Sequence, residues 1–506
     1  MKTNRMTSRP ATRRLALLCL PLALAACGLT RPPAADASAP VPAQWNTPVP
    51  AALAHTGSLP AMADWWRQLD DPLLVGLIEA AQAASPTVAS ASARIVEARG
   101  TRVQSGAALL PTLDGTLSAQ RSNSPLGGTS GSSETGGASS GSLPGVTTLQ
   151  AGLQTSWELD LFGGRRASRD AADARLQSAG AKWHDARVSV AAETANQYFA
   201  ERACQRQLAV AGSDARSRGE TARLNDLSAK AGFTAPADAA LSRASAADAS
   251  ARLTQQGAQC AVLRKGLVAL TGLDARELDQ KLATVSTDRP LPAVQSVASV
   301  PAQMLAQRPD VFAAEAAVAA ASADVGAAEA DRYPRLTLQG SVAALQLRSG
   351  GISQDLQTWT IGPLALTLPI FDGGTRAANA ESAKARYDEA VSQYRGSVRT
   401  AVREVEEALV NLQATDARTG DADTAVQNYQ ASFDATQARY QSGLASLFEL
   451  EDSRRTLFAA QTARVALQRE RAEAWVALYR ATGGGWARPG AALANNTHIP
   501  SSATTP

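Results

Sequence analysis

Between Leu149 and Leu161 the chain alternates without a break. Leu149, Ala151, Leu153, Thr155, Trp157, Leu159 and Leu161 are separated by Gln150, Gly152, Gln154, Ser156, Glu158 and Asp160. Strict period two puts the first set on one face of a strand and the second on the other. With its flanks the run reaches roughly 40 Å at about 3.3 Å per residue, long for a globular strand and suited to a tilted strand in a membrane barrel. It ends in Phe162-Gly163-Gly164, and a long helical pattern starts at once.

The arrangement occurs twice. Leu366 to Phe371 is followed by Asp372-Gly373-Gly374 and a second long helix. Ser85-Pro86-Thr87-Val88 and Arg308-Pro309-Asp310-Val311 each open an Ala-rich helical stretch that stops at a second proline, Pro111 or Pro334, 25 residues after the first. Proline is a natural end for a helix turning into extended chain. Alternation resumes after each, through Leu113, Gly115 and Leu117 or through Leu336, Leu338, Gly340 and Val342. Polar loops follow, long from Ser122 to Gly145 and short from Arg348 to Gln354. The long helices break at Gly232 and Gly443, each 40 residues before a closing Thr-Gly at Thr271-Gly272 and Thr482-Gly483. Tyr387, Tyr394, Ala401 and Ala408 repeat every seven residues, with Val391, Val398, Val405 and Leu412 interleaved. Such a seam predicts coiled-coil packing. A continuous helix from Gly164 to Gly232 would span about 100 Å at 1.5 Å per residue, which suits a tunnel or a filament.

Each copy supplies two amphipathic strands, so one chain has four. A barrel closes with about eight at the least, and an open edge in lipid leaves backbone groups unpaired. The expected fold is therefore a mixed α/β membrane protein in which a homotrimer closes a 12-stranded β-barrel, four strands per chain, continued by a long α-helical barrel. The expected divisions are a signal peptide at 1–26, a lipidated linker at 27–60, a first repeat at 61–273 and an inter-repeat linker at 274–300. A second repeat at 301–483 and a disordered tail at 484–506 complete them. Strands are expected at about 112–120 and 147–162, then at about 335–347 and 357–371.

The basic start (Lys2, Arg5, Arg9, Arg13, Arg14) and the apolar run Leu15 to Ala26 have the form of a secretory signal. It ends in Leu24-Ala25-Ala26-Cys27, which resembles a bacterial lipobox with Cys27 as the diacylated residue; the alternative is an ordinary signal with a chance cysteine. Gly28 rather than aspartate after it suggests outer-membrane sorting. Removing those five basic residues from 49 Lys and Arg leaves 44 against 46 Asp and Glu, so the basic pI implies no nucleic-acid partner.

Trp65-Trp66-Arg67-Gln68-Leu69-Asp70-Asp71-Pro72, Arg308-Pro309-Asp310-Val311, Ile370-Phe371-Asp372-Gly373-Gly374 and Tyr440-Gln441-Ser442-Gly443 stand in this order around the duplication. They resemble the outer-membrane efflux lipoproteins of the OprM/NodT group, relatives of TolC. The resemblance runs from about Gln44 to Thr482. It implies a homotrimeric barrel with a periplasmic α-barrel and a small equatorial domain. It also implies an exit duct of a tripartite efflux pump, joined to a periplasmic membrane-fusion adaptor and an inner-membrane transporter of the resistance-nodulation-division or a related class. Expected surroundings are outer-membrane lipid and the periplasm.

In that family the turns around Gly232, Phe233 and Thr234 and around Gly443, Leu444, Ala445 and Ser446 would be periplasmic tips that meet the adaptor. On geometry alone they are helix-hairpin turns, for which glycine is suited. The resemblance assigns Asp238, Tyr440, Glu449 and Asp452 to a periplasmic gate. Glu449 and Asp452 are three apart on one helix face, so threefold repetition would stack two acidic rings in the pore; the bland reading is a solvated face. Where TolC has a gate arginine this chain has Ala445, so the closed-state lock is either weaker or uses another basic residue such as Arg454. Cys204 and Cys260 lie 28 residues either side of Gly232, level on folded-back helices, and form either a disulfide or two buried small residues.

No metal or cofactor site is expected. His55, His184 and His498 are the only histidines, and none stands near a cysteine or carboxylate cluster at ligand spacing. No phosphate loop or nucleophile-base arrangement is present either, so the chain reads as no enzyme. The competing reading is a structural or adhesive coiled-coil surface lipoprotein, which accounts for the heptads but not for four amphipathic strands.

Overall fold

The computed structural model describes residues 33–34, 37–39, 71–122, 145–284, 305, 308–349, 351–486 and 488. The expected signal, the lipidation candidate Cys27, the Trp65-Trp66 motif and nearly all of the Ser/Gly loop lie outside them. The elements are α1 (Pro72–Ala84), α2 (Pro86–Ala107), β1 (Thr112–Ser122), β2 (Val146–Leu159), α3 (Gly164–Lys230) and α4 (Pro236–Thr271). Then come α5 (Ala275–Ala283), α6 (Pro309–Ala330), β3 (Arg335–Ser349), β4 (Ile352–Thr367), α7 (Thr375–Gln441) and α8 (Leu447–Ala481). The duplication is explicit in lengths: α2 and α6 have 22 residues each, and α3 and α7 have 67 each.

The chain divides into two compact units. One holds residues 96–177 and 316–392 and contains all four strands; the other holds 178–315 and 393–506 together with α1. In the first, the strands form an antiparallel meander in the order β1-β2-β3-β4. Residues directly opposite share a face, so the pairings Leu149↔Ala119, Leu153↔Gly115, Leu153↔Val342 and Val342↔Trp359 put the alternating set on one surface. That surface is bare: Leu117 is 87% exposed, Trp359 73% and Ile361 84%. An apolar sheet face of this extent is not that of a water-soluble chain. The opposite face is polar over most of its length, as in Ser341 and Thr360, whose hydroxyls bond across β3 and β4 at 2.8 Å. A register shift between Leu338 and Gly340 accommodates Gly362-Pro363, because proline gives no N–H to the ladder.

Each strand-to-helix corner is fixed by an aspartate. Asp160 accepts from the backbone N–H of Arg165 and Arg166, both at 3.0 Å. Asp372 accepts from Gly374 at 3.0 Å and Arg376 at 3.1 Å. These carboxylates take up amide donors that a helix start leaves unpaired and complement its positive end.

In the second unit, the largest core gathers Leu74, Leu77 and Ile78 of α1, Val188, Ala195 and Tyr198 of α3, Leu267, Leu278 and Val476. The Tyr198 hydroxyl donates to Asp71 at 2.7 Å, and Asp71 also caps α1. The heptad prediction matches the packing: Val405, Ala408 and Leu412 of α7 meet Ala474 and Leu478 of α8, while Val398 and Ala401 meet Leu305 and Val311. Arg308 of the Arg-Pro-Asp motif is buried, paired with Asp310 and Glu404 at 2.7 Å each, and donates to the Ala481 carbonyl at 2.9 Å. It thereby fastens the start of α6 to α7 and to the end of α8.

Several expectations shift. Strand β2 stops at Leu159, not 162, because Phe162 turns out to stack on Tyr333 at 5.0 Å. Strand β4 starts at Ile352, inside the stretch read as a polar loop. The inter-repeat stretch begins as a helix, α5, capped by Asp274 and anchored by Leu278. The tail expected to be disordered from 484 is ordered at its start: Trp486 packs on Ala181, Phe312 and Ala313, and Arg488 pairs with Glu315 at 2.5 Å.

Candidate functional site

The second unit carries two helical hairpins, α3/α4 and α7/α8, and both turn by the same device. At the first, the Phe233 N–H reaches back to the Ser228 carbonyl at 2.9 Å and the Gly232 N–H to Ala229 at 3.1 Å. At the second, Leu444 bonds to Arg439 at 2.8 Å and Gly443 to Tyr440 at 3.0 Å. This six-to-one, five-to-two pair is a Schellman turn, which needs a left-handed residue after the helix. Gly232 and Gly443 supply it, with φ of 80° and 75°.

The turns then differ. After Gly232, Phe233 stands 87% exposed and Thr234 bonds to the Ser228 hydroxyl, before Pro236 opens α4. After Gly443, Leu444 is exposed, Ala445 half-buried, and Ser446 is the N-cap of α8 in a capping box with Glu449. The Glu449 carboxylate accepts from the Ser446 N–H at 2.8 Å, while its own N–H donates to the Ser446 hydroxyl at 3.2 Å. Phe448 is exposed beside it.

The four gate candidates fall into three situations. Tyr440 donates to Asn225 Oδ1 at 2.6 Å, a link from α7 to α3 that joins the two hairpins. Glu449 serves the cap and faces Arg439 at 3.9 Å, and Asp452 pairs with Arg455 one turn on. Asp238 is exposed in the first turn of α4, where its charge suits the helix start. Both acidic positions of the expected rings thus have an arginine beside them within one chain.

Arg454, the candidate lock, lies elsewhere. Its side chain is 4% exposed, pairs with Glu451 at 2.5 Å, donates to the Thr221 hydroxyl at 3.1 Å and sits over the Phe433 ring. Burial pushes its guanidinium below the ordinary arginine value, against the pull of Glu451. It belongs to a charge cluster that the sequence reading missed. Arg218 of α3 pairs with Asp214 at 2.9 Å and with Glu451, whose carboxylate also accepts from Ser245 of α4 at 2.7 Å. Glu451 therefore ties α8 to both helices of the other hairpin. The only local hint was the Asp214–Arg218 spacing of four; Glu451 lies between Glu449 and Asp452 with nothing to set it apart.

Higher up the first hairpin, Cys204 and Cys260 are joined by a disulfide with Cα atoms 5.6 Å apart, both buried. It closes a segment that contains the whole Gly232 tip.

An amphipathic meander exposed on its apolar face, together with two 67-residue helices that turn at glycine tips, defines a TolC-like outer-membrane channel subunit. The chain belongs to the outer membrane efflux protein family, which matches residues 77–273 and 300–484. It is similar to the pyoverdine export outer membrane protein OpmQ of Pseudomonas putida, 31% identical over 94% of this chain and 98% of that protein. The outer-membrane channel OprN superposes with a TM-score of 0.75 at 28% identity, covering 90% of this chain and 98% of its own. VceC of Vibrio cholerae gives 0.70 at 28%, covering 84% and 99%. The chain is an outer-membrane efflux protein, and the adhesive coiled-coil alternative gains no support.

Proposed function

We propose that the chain works as a passive homotrimeric duct, the outer-membrane component of a tripartite pump that exports small molecules. The observation that carries this is the open sheet. Among the described residues strands β1 and β4 each have one unpaired edge, the sheet face is apolar, and backbone groups left unpaired in lipid cost several kcal/mol each. Three copies close twelve strands with alternating direction kept.

The exposed tips support a docking role. Phe233 and Leu444 stand exposed on the Schellman turns and Phe448 in the first turn of α8, as ends that receive a partner would. A periplasmic membrane-fusion adaptor meets them, and an inner-membrane transporter of the resistance-nodulation-division or a related class supplies the energy and sets the cargo. Lipid on Cys27 tethers the chain to the membrane. Tyr440, Glu449, Asp452 and Asp238 belong to the closing end of the duct.

The test is Gly443→Trp in a strain whose export depends on the protein. A left-handed glycine with open space around it tolerates no side chain without backbone strain. Export should fall to the level of a deletion strain while the heat-modifiable trimer band on SDS gels persists. Undiminished export with a normal trimer would overturn the tip assignment.

A further inference from the structure

On the apolar sheet face, cross-strand rows follow one another every two residues, from Leu159–Leu336–Leu366 nearest the helices up to Ala119–Leu149. The six rows measure about 33 Å along the strands, or roughly 25 Å across the bilayer at the usual barrel tilt. That is the height of an outer-membrane apolar band. The top row has already turned polar on the far strands, where Gln346 Nε2 donates to the Asp355 carboxylate at 2.9 Å. The next row outward, towards the hairpin ends, is Arg121–Thr147–Arg348–Ser353.

Two arginines therefore face the lipid side one step beyond the apolar band, with hydroxyl side chains beside each. Both are exposed, and among the described residues neither side chain has an ion pair or a hydrogen bond. Among the described residues the nearest acid on this face, Asp355, is engaged by Gln346. Their backbones are two strand spacings apart, about 10 Å, so the long side chains can converge over Thr147. Planar guanidiniums with five donors each suit phosphate oxygens, and hydroxyls add further donors. At this height the outer leaflet presents phosphates.

We propose that Arg121, Thr147, Arg348 and Ser353 form a binding row for the phosphate groups of a phosphorylated acyl glycolipid of the lipid A class, one site per chain on the outer rim of the barrel. The row holds the sheet at a fixed depth: the apolar band alone sets the height loosely, whereas a charged contact at one edge fixes it. The proposal rests on the barrel described under Proposed function.

The test is native mass spectrometry of the purified full-length protein loaded with bisphosphorylated lipid A, dephosphorylated lipid A or phosphatidylglycerol. Wild type should retain bisphosphorylated lipid A in preference to both other lipids. The double variant Arg121→Gln, Arg348→Gln should retain less, roughly thirtyfold, since two basic groups near an anionic surface contribute about 1 kcal/mol each and about 1.4 kcal/mol is a factor of ten. Equal retention by the variant, or wild-type retention indifferent to the phosphates, would overturn the assignment. The phosphate comparison needs no variant, so it stands even if the substitutions impair folding. SDS-resistant trimer is scored separately: its loss in wild type would count against the barrel, whereas lost lipid selectivity with intact trimer counts only against the arginines.

Discussion

Glu451→Gln should loosen the grip of one hairpin on the other. The buried cluster holds two anions, Asp214 at 6% exposure and Glu451 at 16%, against two cations, Arg218 at 10% and Arg454 at 4%. Neutralising Glu451 leaves two desolvated guanidiniums to share Asp214, which already has Arg252 at 3.5 Å. Breaking a buried pair by removing one partner costs about 3–5 kcal/mol. The glutamine oxygen still accepts from Ser245, so the low end applies. About 3 kcal/mol raises the population of the locally opened state by roughly two orders of magnitude. Hydrogen exchange followed by mass spectrometry reads it directly, in peptides covering 214–230 and 447–457, with strand peptides as the internal reference. Adding Arg454→Met restores the balance of charge and should recover much of the protection, because the coupled pair is then removed together. The reasoning fails if Glu451→Gln exchanges like wild type, or if the double variant exchanges as fast as the single one.

Two further outcomes are expected of the first hairpin. Replacing Cys204 and Cys260 together by serine removes a cross-link between residues 56 apart, about 4 kcal/mol on the chain-entropy scale; the helical signal should melt earlier, and reductant on wild type should reproduce the loss, whereas an unchanged midpoint would refute it. Glu201 is held above its ordinary 4.5, first by burial, against the opposing bonds from Gln205 and Arg264. A raised carboxyl contributes stability that is full below the unfolded value and lost as pH rises through the folded one. Melting midpoints of wild type should therefore decline from pH 4.5 towards neutrality, and Glu201→Gln should flatten that decline; an equally steep decline in the variant would exclude Glu201 as its source.

The parts of the fold that could be read in the sequence are those where one local rule has a strong physical cause. Leu149 to Leu159 alternate because the two faces of β2 meet different solvents, and Gly232 and Gly443 punctuate because a Schellman turn requires a left-handed residue. The parts that could not be read fail for stated reasons. Ser353 and Gln354 look like a loop because the outer end of β4 has left the apolar band, so polar residues stand on both faces without contrast while the ladder still pairs them. Helix α5 is nine residues long and depends on Leu278 finding a core built by α1, α3 and α8. Trp486 is a lone aromatic whose partners lie far back in the chain.

The charge cluster is the most instructive omission. A charged residue on a long helix is by default solvated, and Glu449, Glu451 and Asp452 are indistinguishable within the sequence of α8. Only the packing of α8 against α3 and α4 sorts them: Glu449 goes to the cap, Asp452 to an exposed neighbour, Glu451 to two guanidiniums and a hydroxyl. Family resemblance pointed to the first and last of these three, the pair on the face expected to line a pore. The middle one, Glu451, is the acid that bonds directly to the other hairpin. If closing and opening the tips means parting the second hairpin from the first, the free energy to be overcome resides at Glu451 on α8 and at the Tyr440–Asn225 bond from α7. Any conductance change on neutralising Glu449 and Asp452 would then arise from the field they set in the pore, not from release of the hairpins.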